Sequence, residues 1–323
     1  MRTLTQSKEQ RDTFLKALMA EWEVIAPVKT DASRFEPIKD PSKIYYEKQT
    51  YEPAKKYFFP QKETLFQFDG TKLTTVQPKS MKRIFFGLRR CDLNAIQHQD
   101  MVFIQDAHDP YYAKLREQSV LIGYHCNTAP SEYCFCGSLK LEDFFDLMYY
   151  DKGDHLLVEI GSEKGEELVR THARLFEEST RRITQEDKFI PGADRLKRTD
   201  VTTLYDRPEW KEGVDLCLSC GACTSLCPTC YCFEIHDETS TADLSKGTRE
   251  REWSSCQLPG FSRVAGDHVF RKEREQRFKH RIYHQLQYFQ EKYGKDLCVG
   301  CGRCITGCPT RIDFVDIINR MPQ

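Results

Sequence analysis

The chain has 323 residues, 39% of them hydrophobic, and a formal net charge of −1 at pH 7. A near-neutral balance gives no electrostatic preference for nucleic acid or an anionic membrane, and we find no stretch apolar enough for a signal peptide or a membrane span. Its fifteen cysteines are a high and odd number. In a protein that is not exported, metal ligation is a better use of thiols than disulfides, so we expect a cytoplasmic metal-binding protein.

The N-terminal part alternates between strand and helix patterns. Residues 8–25 carry apolar side chains at helical spacing and are predicted to form an amphipathic opening helix. The segment 34–60, rich in aromatics and proline, is predicted to be an irregular cover. The predicted strands are 64–68, 83–88, 120–124 and 156–160, and the predicted helices are 93–103, 111–118, 141–149 and 163–178. This alternation is typical of an α/β-type domain, which we place at residues 1–205.

Four cysteines occur within this predicted domain. Cys91 and Cys126 each follow a predicted strand, and Cys134 and Cys136 lie on a short loop beside Gly137. If the two strands are neighbours, all four thiols meet at one sheet edge and could hold a [4Fe–4S] cluster. The alternative is that they are buried as small apolar residues. A Cys-x-Cys pair beside glycine suits ligation better than core packing.

Two cysteine runs with the same spacing dominate the C-terminal third. The first is CLSCGACTSLCP, beginning at Cys217, and the second is CVGCGRCITGCP, beginning at Cys298. Each reads C-x2-C-x2-C-x3-C-P, the spacing with which two-cluster ferredoxins bind their iron–sulfur clusters. A structural zinc site would instead use two separated C-x2-C pairs around one ion. The runs therefore predict two [4Fe–4S] clusters.

The last cysteine of each run is predicted to reach the other cluster, because the proline after it cannot continue the ligand turn. One predicted ligand set is Cys217, Cys220, Cys223 and Cys308, and the other is Cys298, Cys301, Cys304 and Cys227. Three further cysteines, Cys230, Cys232 and Cys256, are either buried thiols near the clusters or replacements for one expected ligand. Their spacing does not choose between these alternatives.

The remaining C-terminal sequence is mostly helical by pattern. A polar stretch, 181–211, is predicted to link it to the N-terminal domain, and helices are predicted over 271–293 and 314–321. We therefore predict an α+β protein whose residues 206–323 form a mostly helical, α-helical-ferredoxin-like domain.

Charged side chains near the runs have two interpretations each. The basic segment 263–284 is either the solvated face of a helix or a surface for an acidic partner, with Arg274 and Arg277 as test positions. Arg303 either offsets the charge of a cluster or is a solvent-facing spacer. His125, His236 and His268 are scattered and are interpreted as surface or hydrogen-bonded residues rather than ligands. No nucleotide-binding motif and no catalytic constellation is recognisable.

The cysteine segments also resemble a known family. CLSCGACTSLCPTCYC, WSSCQLPGFS from Trp253, and the second run resemble the A-type iron–sulfur subunit of anaerobic sulfite reductase, as do RCDLNAI around Cys91, YCFC around Cys134, and the stretches 22–27 and 317–321. The same arrangement is similar to the iron–sulfur β subunit of cytoplasmic nickel–iron hydrogenases and sulfur reductases. The resemblance covers nearly the whole chain and is weakest between residues 140 and 205.

The resemblance implies a non-catalytic subunit that relays single electrons. Its partners would be an NAD(P)H-oxidising FAD subunit, together with a terminal reductase subunit that is either a sirohaem sulfite reductase, which we expect first, or a nickel–iron hydrogenase. From a different class of function, the clusters could serve a redox sensor, although no DNA-binding motif is present.

Overall fold

The computed structural model describes residues 2–79, 81–197 and 200–322. Its strands are β1 (Thr3–Gln6), β2 (Glu23–Val28), β3 (Arg34–Pro37), β4 (Lys62–Asp69), β5 (Lys72–Thr75), β6 (Arg83–Leu88), β7 (Ser119–Tyr124), β8 (Leu147–Asp151), β9 (Leu156–Ile160), β10 (Glu177–Glu178), β11 (Phe233–Thr239), β12 (Lys246–Trp253), β13 (Arg263–Val264) and β14 (His268–Val269). Its α-helices are α1 (Lys8–Met19), α2 (Arg90–Asp100), α3 (Pro110–Glu117), α4 (Glu163–Thr171), α5 (Gln185–Lys188), α6 (Trp210–Leu216), α7 (Ala222–Ser225), α8 (Arg274–Tyr283), α9 (Phe289–Tyr293), α10 (Arg303–Thr306) and α11 (Phe314–Arg320). The predicted α+β class is confirmed. Within the described ranges, no helix combines the length and apolar character needed to cross a bilayer.

A mixed sheet forms the N-terminal part. In the described residues its strand order is β10-β1-β9-β8-β7-β6-β2-β3, with β2, β6, β7 and β8 parallel to one another and the outer pairings antiparallel. Every residue of β7 is buried, as expected for a parallel strand covered on both faces. Side chains of α1 and α4 pack on one face, and side chains of α2 and the Phe58–Phe59 pair pack on the other.

Because β6 and β7 pair in parallel, the segments that follow these two strands begin at the same edge of the sheet. Cys91 lies in the first turn of α2, just after β6, and Cys126 lies two residues after β7. The two strands are therefore neighbours, which was the condition for their cysteines to meet at one sheet edge. The carboxyl edge of a parallel sheet is where such folds commonly place functional groups.

Three helix predictions were wrong in this part. The helix predicted over residues 8–25 ends at Met19, and Glu23–Val28 forms the mostly buried strand β2. The predicted helix 141–149 is absent, and Leu147–Asp151 instead forms β8 between β7 and β9. The buried run Leu-Met-Tyr-Tyr satisfies both faces of a central strand, and this outweighs its weak helical periodicity. The predicted helix 163–178 ends at Thr171, and Glu177–Glu178 pairs with β1 as an edge strand.

A second sheet joins distant parts of the sequence. In the described chain its order is β11-β12-β4-β5, so the hairpin formed by β4 and β5 pairs with a ribbon that lies between the two cysteine runs. The predicted strand 64–68 therefore belongs to this sheet and not to the larger one. The sheet joins chain on both sides of the boundary that we predicted at 205/206, and that boundary remains a prediction.

The helical elements α6 to α11 surround the cysteine runs. The predicted helix 271–293 is continuous from α8 through a π-helical segment, His284–Tyr288, into α9. The side chains of Phe278, Ile282 and Leu286 pack with Trp210 and with Ile317 of α11 in a second hydrophobic core. This core fixes the long helix against both cysteine runs.

Candidate iron–sulfur site

The two cysteine runs have the same backbone geometry. Gly221 and Gly302 adopt φ values of +77° and +73°, and each begins a four-residue helix, α7 or α10, which carries the third cysteine of its run. A left-handed backbone at this point is accessible to glycine at little cost. The helices α7 and α10 pack against each other, so the runs form a pseudosymmetric pair.

The first cysteine of each run accepts a backbone hydrogen bond. The N–H of Ser219 donates to Cys217 Sγ, and that of Gly300 donates to Cys298 Sγ, both at 3.4 Å. Ser219 and Gly300 also share a positive φ, of 53° and 64°. Donors aimed at sulfur favour thiolate and tune a bound cluster, so both loops fit iron–sulfur clusters in their donor set and in their backbone.

One cavity collects the four sulfurs of the first predicted ligand set. It is lined by Cys217, Cys220, Cys223 and Cys308, and Cys304 also reaches its wall. Cys308 belongs to the second run, and its place here agrees with crossed ligation. Cys220 is exposed to solvent, so this cavity opens at the protein surface.

The second predicted set is arranged in the reciprocal way. Cys227 of the first run interacts electrostatically with Cys298, Cys301 and Cys304. The structure thus brings each fourth cysteine to the opposite run. The assignment of these eight residues as ligands remains a prediction.

Substitution of Cys308 tests the crossing. We expect Cys308→Ser to abolish the same redox transition as Cys220→Ser, although Cys308 lies only four residues from Cys304, because the proline after Cys308 directs it away from the turn of its own run and toward the first run's cysteines. Cys304→Ser is the control, and it should abolish a different transition. Electron paramagnetic resonance of each reduced variant provides the comparison. Matching losses in Cys308→Ser and Cys304→Ser would show that the ligands do not cross.

The four N-terminal cysteines also converge. Cys136 packs in one direction with Cys91 and in the other with Cys126, and it interacts electrostatically with Cys134. All except the partly exposed Cys136 are buried. Such a group of thiols at a sheet edge suits a cluster, and its ligation of iron remains a proposal.

The N-terminal cysteine loop lies directly against the second run. The N–H of Phe135 donates to the Gly300 carbonyl at 2.7 Å, and Cys134 Sγ donates to the Cys301 carbonyl at 3.9 Å. A Cβ atom on Gly300 would stand 2.4 Å from the backbone nitrogen of Cys136. Glycine is therefore required at position 300. The N-terminal cysteines lie on one side of the Phe135–Gly300 backbone contact, and the cysteines of the second run lie on the other.

The approach also predicts the effect of a single added methyl group. In Gly302→Ala the Cβ would lie 2.4 Å from the Tyr133 carbonyl oxygen, so the two loops must separate. Gly294→Ala is a matched control, since Gly294 has nearly the same φ, +74°, and open space around it. Both pay the cost of a left-handed alanine, roughly 1–2 kcal/mol. We expect only Gly302→Ala to lose iron on purification. Equal iron contents in the two variants would show that close packing of Gly302 on the Tyr133 loop is not needed to retain iron.

Arg303 is not a solvent-facing spacer. Its side chain is 2% exposed, forms a 2.8 Å ion pair with the equally buried Asp92, and donates to the Thr50 carbonyl and hydroxyl at 2.8 Å. It interacts electrostatically with Cys301 of the second run and with Cys91. The guanidinium therefore lies between the two groups of sulfurs and ties them to α2.

The basic segment is not a uniformly solvated face. Arg277 and Arg281 are buried, whereas Arg274 is exposed. Arg277 donates to the Gln257 carbonyl at 2.9 Å, and Arg281 donates to the Cys223 carbonyl at 3.2 Å. Arg277 is thus a structural residue and was the wrong choice as a test of partner docking.

Burial makes these thiols hard to ionise without a bound metal. It raises the pKa of Cys134 to about 12 and that of Cys223 to about 12, because a low-dielectric surrounding disfavours the thiolate. Iron ligation requires the thiolate, so the metal itself and nearby cations must supply the compensating charge. Arg281 is within electrostatic reach of Cys223, Cys227 and Cys304.

Cys230, Cys232 and Cys256 lie beside the first run. The sulfur of Cys230 is an electrostatic neighbour of Cys227, and that of Cys232 is an electrostatic neighbour of Cys256. The neighbouring Cys232 thiol holds the pKa of Cys256 below its usual value. These contacts place all three near the predicted clusters.

Several polar residues around the sulfurs were missed in the sequence. Gln257 and Gln285 are 2% and 1% exposed, and each offers its amide to two cysteine sulfurs. The sequence contained a signal for Gln285 only. Arg277, Arg281 and Gln285 recur every four residues along one helix, and this spacing places them on the same helix face. Lys55, which donates to the Thr224 and Cys230 carbonyls, gave no such signal.

The three histidines are scattered, as predicted. His125, however, is buried against the ring of Tyr150 rather than at the surface. His236 is partly exposed, and His268 is exposed. In the described ranges, no three His, Cys, Asp or Glu side chains are spaced to hold a single metal ion.

Comparison with known proteins agrees with the cysteine pattern. Residues 216–312 match the family model described as a 4Fe-4S dicluster domain. The whole chain is similar to sulfhydrogenase 2 subunit beta of Pyrococcus furiosus, with 32% identity over 342 aligned residues that cover 100% of this chain and 99% of the relative. The match includes the N-terminal part with its four cysteines as well as both cysteine runs.

Proposed function

Because the chain belongs to the family of iron–sulfur β subunits of hydrogenases and sulfur reductases, we propose that it relays single electrons between an NAD(P)H-oxidising FAD subunit on one side and a nickel–iron hydrogenase subunit on the other. It is an iron–sulfur electron-transfer subunit. The clusters that the three cysteine sets would hold supply the one-electron chemistry. No residue is assigned to a catalytic step on a substrate.

The observation that carries the relay is the contact between the N-terminal loop and the second run. The Phe135–Gly300 hydrogen bond joins the sheet-edge sulfurs to the second predicted set, and the packing of α7 on α10 joins that set to the first. The first set ends at the exposed Cys220. These contacts support a path from the sheet edge to the surface across three groups of sulfurs.

The similarity favours a different terminal partner from the one expected first. We predicted a sirohaem sulfite reductase, with a nickel–iron hydrogenase as the alternative. The relative that matches the full chain is named a sulfhydrogenase subunit, and this supports the alternative. The sulfite reductase partner has no support in these comparisons.

Two structural features suit the chain to its proposed role. The buried cations Arg281 and Arg303 face sulfurs, and such cations offset the negative charge that accumulates when a thiolate-bound cluster accepts an electron. The apolar side chain of Leu218, 63% exposed, stands beside Cys220. Leu216, two residues away, is 45% exposed, and two neighbouring exposed leucines at the open end of the path suit contact with a partner subunit.

A purified complex tests the relay. A complex isolated anaerobically through a tag on this chain should contain nickel and flavin and lack sirohaem. In it, Cys134→Ser/Cys136→Ser should abolish electron transfer between hydrogen and NAD(P) while each terminal subunit still reacts with an artificial one-electron dye. Full coupling in this variant would show that electrons bypass the N-terminal cysteines, and a sirohaem partner would contradict the hydrogenase assignment.

A further inference from the structure

Three cysteines outside the predicted ligand sets share one buried region. Cys230 and Cys256 are 5% and 3% exposed, and Cys232 is partly buried. Cys230 and Cys232 are two residues apart, and the N–H of Ser254 donates to the Cys232 carbonyl at 3.0 Å, which brings Cys256 to the same end of the ribbon, where it is an electrostatic neighbour of Cys232. The three sulfurs therefore form a group, although their residues come from two sides of the β11–β12 ribbon.

A buried ammonium group faces this group of sulfurs. Lys55 is 4% exposed, and its Nζ donates to the carbonyls of Thr224 and Cys230 at 3.2 and 3.1 Å. It lies 4.0 Å from the centre of the Trp253 ring. Its largest favourable electrostatic interactions are with the sulfurs of Cys230, Cys227 and Cys232. A buried charge needs a partner of opposite sign, and here thiolates would supply it.

A second buried cation is aimed at the same place. Arg281 is 9% exposed, and its strongest electrostatic interaction with sulfur is with Cys230. Its Nε has no hydrogen-bond partner among the residues that the structure describes. An unpaired, buried N–H next to sulfur is costly unless an acceptor occupies the space before it.

Two amides complete the surroundings. Gln285 Nε2 donates to Cys230 Sγ, and Gln257 Nε2 donates to Cys256 Sγ, both at 3.8 Å. Both glutamines are almost fully buried. The three sulfurs are thus surrounded by two cations and two N–H donors, which is the environment of thiolates that ligate a cluster.

We propose that Cys230, Cys232 and Cys256 ligate an additional iron–sulfur cluster with three thiolates, next to the two clusters of the cysteine runs. Lys55 contacts this group through the Cys230 carbonyl, and the unpaired Arg281 Nε leaves a donor for a further acceptor in the same region. The proposal is independent of the terminal partner and rests only on the chain's binding of iron–sulfur clusters.

Iron analysis of matched variants tests this site. The anaerobically purified chain, Cys232→Ser and Cys126→Ser are compared for iron and acid-labile sulfide. Cys232→Ser should lose about three to four irons, the content of one cluster, and one paramagnetic signal that Cys126→Ser retains. Because Cys126 belongs to the N-terminal set, an unchanged Cys126→Ser would argue against that cluster without affecting this one.

Three results would overturn the proposal: unchanged iron and signals in Cys232→Ser, zinc in place of iron, or a Cys232–Cys256 disulfide in the protein as isolated. If Cys232→Ser does not fold, the iron content of Cys134→Ser/Cys136→Ser, which lacks the N-terminal set, tests the proposal instead. That protein should retain about eleven to twelve irons, whereas about eight, the content of two four-iron clusters, would exclude a further one.

Discussion

Replacing Arg303 with methionine is expected to destabilise the protein by about 3–5 kcal/mol, the cost of leaving one member of a buried ion pair without its partner. Arg303 and Asp92 are each 2% exposed, and their charged atoms lie 2.8 Å apart. The substitution leaves the Asp92 carboxylate in a buried position beside two groups of anionic sulfurs. The midpoint of anaerobic chemical denaturation measures the loss.

Two comparisons separate the ion pair from a general loss of charge. Arg249→Met breaks another arginine–aspartate pair, with Asp237, which lies at the surface; such pairs contribute little because water screens them. Asp92→Asn/Arg303→Met removes both charges and should recover part of the stability. If Arg303→Met unfolds at the same midpoint as the Arg249 variant, the buried pair does not hold the second run to α2.

The second large effect is expected for Arg281. Its guanidinium is buried within electrostatic reach of Cys223 and Cys227 of the first run and Cys304 of the second. Arg281→Gln should lower the reduction potentials of the clusters at both runs, because reduction adds negative charge that the cation no longer offsets. We expect a shift of at least about 59 mV, which corresponds to a tenfold change in a one-electron equilibrium.

Redox titration followed by electron paramagnetic resonance measures this shift. Arg281→Lys keeps the charge and should retain most of the potential. Lys292→Gln removes an exposed cation from the same continuous helix, where it pairs with Asp106, and should leave the potentials unchanged. Equal potentials in Arg281→Gln and the unaltered protein would mean that the guanidinium does not tune either cluster.

The cysteine geometry could be predicted from the sequence because it depends on local rules. The spacing in each run sets its turn, and the proline after Cys227 or Cys308 carries that residue away from its own run. Cys91 and Cys126 could be placed together because both follow strands of a parallel sheet. In each case, nearby residues determine where the sulfur goes.

The buried charges could not be predicted because their partners are remote in sequence. Arg303 meets Asp92 across more than two hundred residues, and Lys55 meets the carbonyl of Cys230. Nothing in a row of basic residues tells which will be buried, so Arg277 was chosen to test a partner surface although its side chain is buried. The strand Leu147–Asp151 was missed because a short apolar run fits either a helix or a central strand.

Mössbauer spectroscopy of the anaerobically purified chain, combined with iron, zinc and sulfide analysis, tests the relay most directly. We expect at least about eight irons per chain, all in [4Fe–4S] clusters for the two cysteine runs, and about four more for the N-terminal set. A colourless protein, zinc in place of iron, or fewer than about eight irons would contradict electron transfer through this chain.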